Sequence, residues 1–452
     1  MRAEGKAIAY NFPVNYTSVQ VEELQGSLVQ SVKKINDLME FVGYQIVGRE
    51  EIIRQSFYAL LTGEHQLLFS RTGMAKSLLV RQIFTCFDQA VVFEKQLTKD
   101  TMPDNLFGGY DIVQLKRGKL LHNVEGSLVM SDFAFLDEIF DANDMLLRSL
   151  LSLLNEKRLI NGEQQISSPL STVIAAANYL RANEVLEAVL DRFLYKSYIP
   201  ENKDLYLQMA IDLVYQENHG GVVEPEEKID LDDFSSLKEI IKSQDIVIPE
   251  YVLFLKNYVV RKYAEEMRAI DPEKPKFMIS DRTSVKMQNL LRASAILDYR
   301  TKVEDKDLDQ LYYLICMLGK DEEKNHFSTI LDTARKYFGP DKEILEDVLQ
   351  LIRVVREMKR PQKNQKVMQS SSINQTLEEM ENTLKEKGGL RQRLHNVTKR
   401  VIPFPHKSEA VKAAGTIQQY CDFLRNMAIR KETIEIIAGL EKELENFQPA
   451  DR

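Results

Sequence analysis

Apolar residues recur at three- and four-residue spacing through residues 18–62, in LVQSVKKINDLMEF and again in EEIIRQSFYALLTG. That period predicts two helices. Between them, YQIVGRE is a short apolar piece reaching Gly48. From 65 to 200 the pattern changes. Short apolar runs (HQLLFS, AVVFEKQL, DFAFLDEI, STVIAAAN, FLYKSYIP) appear, several of them separated by helical stretches such as SLLVRQIFTCF and NDMLLRSLLSLLNEKR. Strands alternating with helices predict a parallel sheet covered by helices on both faces. Asn161-Gly162 in RLINGEQQI is a hairpin signal, and a second hairpin is expected around Arg117-Gly118. After about 201 the chain reads as helical, with breaks at His219-Gly220-Gly221 and Asp271-Pro272. Beyond Lys320, long polar helices are expected near 325–358, 373–386 and 408–446, separated by Gly/Pro/Ser-rich basic loops.

The chain has 452 residues, enough for about three domains. Its 44% apolar and 28% charged residues argue against a wholly disordered, collagen-like or membrane-spanning chain. A net charge of −8 argues against coating nucleic acid. The basic stretches Lys359–Lys363 and Arg391–Lys407 lack interleaved aromatic residues and read as solvated loops, so nucleic acid is not the expected partner. The start, MRAEGKAIAYNF, has no apolar core of a secretory signal, and no run of about 18 apolar residues predicts a membrane span. Cys86, Cys316 and Cys421 are far apart and form no CxxC, so neither disulfides nor zinc are expected, and the compartment reads as a reducing cytoplasm. No pair of histidines has metal-binding spacing, and no GxSxG is present.

HQLLFS runs into Ser70-Arg71-Thr72-Gly73-Met74-Ala75-Lys76-Ser77, followed by the apolar helix start at Leu78. Strand, loop, Lys-Ser and helix is the context of a phosphate-binding loop. Backbone N–H groups of such a loop surround phosphate oxygens. Lys76 would neutralise the β- and γ-phosphates, and the Ser77 hydroxyl would be a ligand for Mg2+. Against the pattern GxxxxGK[ST], Ser70 and Ala75 stand where both glycines belong. A Cβ at either position is expected to strain the loop or hinder a phosphate. Taken alone, the stretch also fits an ordinary strand-to-helix turn. Further on, the apolar run Phe133–Leu136 ends in two carboxylates, Asp137 and Glu138. Asp137 would hold Mg2+ through water, and Glu138 would polarise the attacking water. The alternative for this pair is a solvated acidic turn.

Taken together, these stretches resemble the AAA+ superfamily, specifically its MoxR branch, with RavA-type proteins closest. The resemblance is carried by IVGREEIIRQSFYALLTGEHQLL, GMAKSLLVRQ, DNLFGGYD, EGSLVMSDFAFLDEIFDANDMLLRSLLSLLNEKRLINGE, TVIAAANYL, LEAVLDRFLYK and ISDRTSVKMQNLLRASA, over about 45–300. An alanine before the loop lysine is usual in that family. Its Gly-Pro-Pro is replaced here by Ser70-Arg71-Thr72, which sets the expectation of weak binding or slow hydrolysis. The resemblance implies that Ile46, Val47 and Gly48 cradle adenine, and that Thr72, Gly73, Met74, Ala75, Lys76, Ser77 and Leu78 hold the phosphates. It makes Asn178 the sensor 1 amide and Arg192 an arginine finger acting in a neighbouring subunit. Arg282 becomes sensor 2, near the γ-phosphate. The plain alternatives are an interhelical turn at Gly48, a turn-forming Asn178, a surface Asp191–Arg192 pair and a solvated helix-start Arg282. LLNEKRLINGEQQISSPLS and VQLKRGKLLHN resemble the family's two pore-side hairpins, with Lys116, Arg117 and Lys119 either lining a pore or solvated.

The expected architecture is an α/β P-loop AAA+ core with N-terminal helices over 1–200, an all-α lid over 201–320 and an α-helical extension over 321–452. The implied function is ATP hydrolysis with Mg2+, coupled to chaperone-like remodelling or maturation of a partner protein. A trans-acting finger implies a homo-oligomer, here a hexameric ring, and the family implies a von Willebrand factor A domain partner. The competing reading is a nucleotide-binding scaffold whose degenerate loop turns over slowly or not at all. A third and weaker reading is a nucleic-acid motor using the hairpins and basic loops.

Overall fold

The computed structural model describes residues 26–71, 73–118, 121–161, 164–179, 184–201, 204–243, 245–270, 279–316, 319–358 and 407–445. The chain forms two compact units, Met1–Ile248 with Ala264–Ser328, and Pro249–Tyr263 with Thr329–Arg452.

The first unit opens with helices α1 (Gly26–Gln45) and α2 (Glu50–Thr62). Helix α2 buries Ile53, Phe57, Leu60 and Leu61, and Gly63 closes it with φ 68°, the left-handed conformation glycine adopts without steric cost. The strands are β1 (Gln66–Phe69), β2 (Val92–Gln96), β3 (Phe133–Asp137), β4 (Arg158–Asn161), β5 (Gln164–Ser167), β6 (Thr172–Ala177) and β7 (Tyr195–Tyr198). Five of them make one sheet in the order β2-β3-β6-β1-β7, and each pairing is parallel. Strands β1 and β6 are buried at every position, whereas edge strand β2 is buried at none. This is why the central runs read as continuously apolar. Leu67, Phe69, Leu136, Val173 and Ala175 pack with Leu146, Leu150 and Phe193 in one core, each large side chain contributing about 1.5–3 kcal/mol.

Parallel register sets the site. Phe69 pairs with Ala177 and Leu136 with Ala175. The carboxyl ends of β1, β3 and β6 therefore sit side by side, which is where open α/β sheets bind ligands.

The remaining helices are α3 (Lys76–Phe84), α4 (Asp104–Phe107), α5 (Ile112–Lys116), α6 (Asp144–Glu156), α7 (Glu184–Arg192), α8 (Leu205–Asn218), α9 (Leu231–Lys242), α10 (Glu250–Ile270), α11 (Asp281–Leu297), α12 (Tyr312–Ile315), α13 (Asp321–Phe338), α14 (Lys342–Met358), α15 (Lys407–Met427) and α16 (Lys431–Glu445). This is a parallel sheet flanked by helices, followed by helical regions, as the sequence pattern predicts. In the second unit, α14 buries Val348, Leu351 and Val355 in a core with Tyr420, Leu424, Ile437 and Leu440 of α15 and α16.

Strands β4 and β5 form the hairpin expected at Asn161-Gly162, with Asn161 opposite Gln164; Gly162 and Glu163 lie outside the described residues. The second hairpin is not formed as expected. Ile112–Lys116 is helical because the Asp111 carboxylate accepts hydrogen bonds from the Val113 and Gln114 amides, capping α5. Among the described residues there, the antiparallel pairing is reduced to a single bridge, Tyr110 to His122. The Gln164 side chain bonds both the amide and the carbonyl of His122, tying this loop to the β4–β5 hairpin. Lys119 lies outside the described residues. The helix expected over 325–358 is two helices, because Gly339-Pro340-Asp341 forms a 3-10 turn between them and proline has no N–H to continue a ladder. The stretch near 408–446 is likewise broken between α15 and α16. The helix expected over 373–386 lies outside the described residues.

Candidate active site

The loop after β1 begins with Ser70, whose amide bonds the Ala177 carbonyl at 3.3 Å and whose hydroxyl donates to the Arg71 carbonyl at 2.8 Å. Gly73 has φ 84°, and Ala75 has φ 56° and ψ 27° as the residue before α3. The backbone at Ala75 thus takes the glycine conformation of the standard loop, at about 1–2 kcal/mol for a residue with a Cβ. Ser70 does not have positive φ, so the strain expected at both substituted positions falls on Ala75 alone. Thr72 lies outside the described residues.

Five polar residues of this loop and the strand ends beside it converge at the carboxyl edge of the sheet. Ser77 Oγ donates to Asp137 Oδ2 at 3.2 Å. Lys76 Nζ donates to Asn178 Oδ1, and Asn178 Nδ2 donates to Glu138 Oε1. The Asn178 amide therefore bridges the loop lysine and the second carboxylate. Each of these carboxylate and amide residues ends or follows a strand, so the register of β1, β3 and β6 brings them together. Glu138 adopts φ 54° and ψ 46°, a left-handed conformation that costs a non-glycine residue about 1–3 kcal/mol and clusters at functional sites. Burial pushes the Glu138 carboxyl above its ordinary range; Asp137 and Asp141 add to the rise, while Lys76 and the Asn178 hydrogen bond oppose it. Burial lowers the Lys76 ammonium, an effect opposed by the attraction of Glu138 and Asp137.

A cavity of 510 Å³ opens next to the loop, walled by Ile46, Val47, Gly73, Met74, Ala75 and Leu78. Gly48 does not line it; with φ 70° it turns the chain between α1 and α2. The opposite wall is Gln208, Ile211, Val214, Tyr215 and Asn218 of α8. Sequence reasoning missed this wall, although α8 carries apolar residues around its whole circumference. A Cβ at Gly220 would lie 2.7 Å from the Tyr215 ring, so glycine there lets that ring sit where it does.

Arg192 and Arg282 are not brought to this cluster. Arg192 ends α7 just before Tyr195, which pairs with Gln66 at the start of β1. In a parallel sheet that is the amino edge. Strand β1 has 4 residues, about 13 Å at roughly 3.3 Å per residue, and it separates Arg192 from the loop. There Arg192 Nη1 meets Asp191 Oδ2 at 2.5 Å. Arg282, expected near the γ-phosphate, instead bonds Asn155 Oδ1 through its Nη1 at 3.4 Å, near the end of α6. It lies close enough to His65, before β1, to lower that ring's pKa alongside the dominant burial. The cause is local: Ser280 caps α11 through the Thr283 amide and donates to Asp191 Oδ1 at 3.3 Å. Met287, Leu290 and Leu291 are meanwhile buried.

A phosphate-type loop, an acidic pair and a polar amide on three adjacent parallel strands define a P-loop nucleotide-binding ATPase domain. Residues 33–239 match the family model described as the MoxR domain in the MoxR-vWA-beta-propeller ternary systems, and residues 249–330 match an AAA lid domain. An uncharacterised protein of Methanocaldococcus jannaschii is 26% identical over 330 residues, covering 72% of this chain and 79% of that one. Chaperone MoxR1 of Mycobacterium tuberculosis is 27% identical over 225 residues, covering 48% of this chain and 55% of the chaperone. A crystal structure from Cytophaga hutchinsonii, assigned as an ATPase, shares the fold with a TM-score of 0.54 at 20% identity, covering 70% of this chain and 98% of that one. The chain belongs to the MoxR family of AAA+ ATPases. Among the described residues no helix is long and apolar enough to cross a membrane.

Proposed function

We propose that this ATPase binds ATP with Mg2+ in the cavity beside Ser70–Leu78 and couples hydrolysis to remodelling or maturation of a partner protein. The observation that carries this reading is the convergence of Lys76, Ser77, Asp137, Glu138 and Asn178 at one strand edge. Ile46, Val47 and Leu78 offer an apolar seat for the adenine ring, with Gly48 shaping the turn. Ser77 and Asp137 provide hard oxygen donors of the kind Mg2+ prefers. Bound there, the metal supplies charge neutralisation between phosphate oxygens. Lys76 neutralises the terminal phosphates. Glu138, held by Asn178, polarises the attacking water. Arg192 stands at the far edge of its own sheet and acts on the nucleotide of a second copy, as a head-to-tail ring, hexameric in this reading, provides. Arg282, tied to the same edge, is assigned to that neighbour's site as well.

The working division is a nucleotide-binding core to about residue 200, a lid to about 320 and a helical extension beyond. The partner is proposed to carry a von Willebrand factor A domain, following the ternary systems that name the matching domain model. A cytoplasmic location is supported by three cysteines that are free and buried. The resemblance to RavA-type proteins in particular rests on the sequence stretches alone. Phosphate release from purified protein, with and without a von Willebrand factor A domain protein, tests the coupling. Stimulation supports it; turnover indifferent to such a partner overturns it.

One observation favours the second reading, a scaffold that hydrolyses slowly: the loop holds Ala75 in a left-handed conformation and lacks the family's Gly-Pro-Pro. Binding of nucleotide without measurable phosphate release would select it.

A further inference from the structure

Three helices of the second unit wall a cavity of 730 Å³: the start of α10, with α14 and α16. Leu253, Phe254 and Tyr258 of α10 face it, with Leu349 and Ile352 of α14 and Ile436 of α16. All six are half-buried. With Glu250 and Arg261 at its ends, the α10 stripe keeps to one side of the helix over about 16 Å, at about 1.5 Å per residue. Elsewhere α14 and α16 bury Val348, Leu351, Ile437 and Leu440 against Tyr420 and Leu424 of α15. The six half-buried side chains are therefore a second apolar surface, one that this core leaves over. Three packed helices with an apolar furrow between them are completed by a fourth helix. Amphipathic helices dock in such grooves through residues one or two turns apart.

The charges around the groove say what kind of helix fits it. Each carboxylate that lines it already has a donor. Glu250 pairs with Arg353 at 2.9 Å, Glu432 accepts from the Tyr337 hydroxyl at 3.2 Å, and Glu435 pairs with Lys431 at 3.4 Å. The guanidiniums are less evenly matched. Arg261 lies over the Tyr258 ring at 6.0 Å. Arg353 shares Glu250, and exposed Arg356, about one turn further along α14, forms no ion pair among the described residues. The unmatched charge in the groove is positive and sits at the end of α14. That end is the far one from Glu432: Asp341, just before α14, accepts the Ile429 and Arg430 amides at 2.8–3.2 Å, so α14 and α16 start side by side. An acidic group entering at the arginine end would be attracted there, while a basic one would be repelled.

We propose that this groove is a docking site for an amphipathic helix of a partner protein, one that carries acidic residues beside its apolar stripe. Its apolar side chains fill the furrow between Phe254, Ile352 and Ile436. Its acidic turn lies against Arg353 and Arg356. Helices commonly carry acidic residues in their first turn, where these complement the helix dipole, so the occupant lies with its amino end at the arginines.

The test is fluorescence anisotropy on the full chain with labelled helical peptides of one length. The first has a leucine stripe flanked by glutamates, the second the same leucines flanked by lysines, and the third the glutamates with serine in place of leucine. The glutamate–leucine peptide is expected to bind about tenfold more tightly than the lysine peptide, and the serine peptide not at all. Arg356 is exposed, so Arg356→Glu keeps the fold, checked by an unchanged Tm, and is expected to erase the tenfold preference. Ile352→Ser is expected to weaken both leucine peptides. Failure of both leucine peptides to bind wild type overturns the proposal, and so does a preference that survives Arg356→Glu. Equal binding of the serine peptide would make the groove a site for anions alone and overturn the helix. Affinity that falls as protein concentration rises would give the groove to a second copy of this chain and overturn the partner.

Discussion

The carboxyl and amino edges of the same parallel sheet are both rich in charge, yet they are organised in opposite ways. At the carboxyl edge, cation, amide and carboxylate are joined in a chain, Lys76 to Asn178 to Glu138, with Ser77 on Asp137 beside it. At the amino edge, cations predominate and, among the described residues, Arg192 pairs with its neighbour Asp191. The first edge has what is needed to bind phosphate and activate water. The second has what is needed to stabilise developing negative charge, but no phosphate loop to bring that charge to it. On the proposed reading, in which Arg192 acts on a neighbour's nucleotide, neither edge is complete without a second molecule.

The comparison can be broken most directly at the arginine. Arg192→Ala is expected to lower phosphate release about a thousandfold while nucleotide binding persists; steady-state turnover alongside equilibrium binding checks this, and unchanged turnover removes the amino edge from catalysis. Next is Glu138→Gln, expected to lower turnover by about 10²–10⁴ and to trap bound ATP. Retained hydrolysis would take the role of base from Glu138. The pH dependence sharpens the same point. Because burial raises the Glu138 carboxyl, its basic form is lost at a higher pH than for an ordinary carboxylate as pH falls. The acid limb of kcat/KM is therefore displaced upward; a limb in the ordinary carboxylate range contradicts a rise dominated by the burial of Glu138.

A smaller effect separates the edges by stability. Ala75→Gly relieves a left-handed backbone and is expected to raise stability by roughly 1 kcal/mol, read as a higher Tm. A lower Tm would mean that the loop does not hold this conformation. At the amino edge, Lys157 and Lys238 titrate near 8 when folded against 10.5 when unfolded. Between those values the unfolded chain binds more protons, so stability rises with pH over that window. In Lys238→Met the rise should be shallower; a rise of equal slope would contradict the lowering of Lys238.

Much of the carboxyl edge is legible in the chain itself. Lys76, Asp137, Glu138 and Asn178 each follow a short apolar run, and a parallel sheet aligns the ends of such runs automatically. The position of Arg282 is not legible. A motif at a helix start does not say which edge of the sheet the helix meets, and that is decided by the Ser280–Asp191 hydrogen bond and by burial of Met287, Leu290 and Leu291. The turn signal Arg117-Gly118 misleads because the Asp111 cap, one residue before an apolar pair, converts the stretch into α5. A single helix over 325–358 overlooks Pro340. The wall formed by α8 is hidden for a different reason: its outer stripe is apolar too, so its composition gives no inside and outside.

The central claim, that one active site is assembled from two copies, is tested most directly by mixing Lys76→Ala with Arg192→Ala and measuring phosphate release. Each variant alone is expected to be inactive. In a mixed assembly, the Arg192→Ala copy still has an intact loop and the Lys76→Ala copy still offers Arg192. Random mixing then restores about a quarter of the wild-type sites. Recovered turnover on mixing is the predicted result; a mixture as inactive as its components would contradict the account.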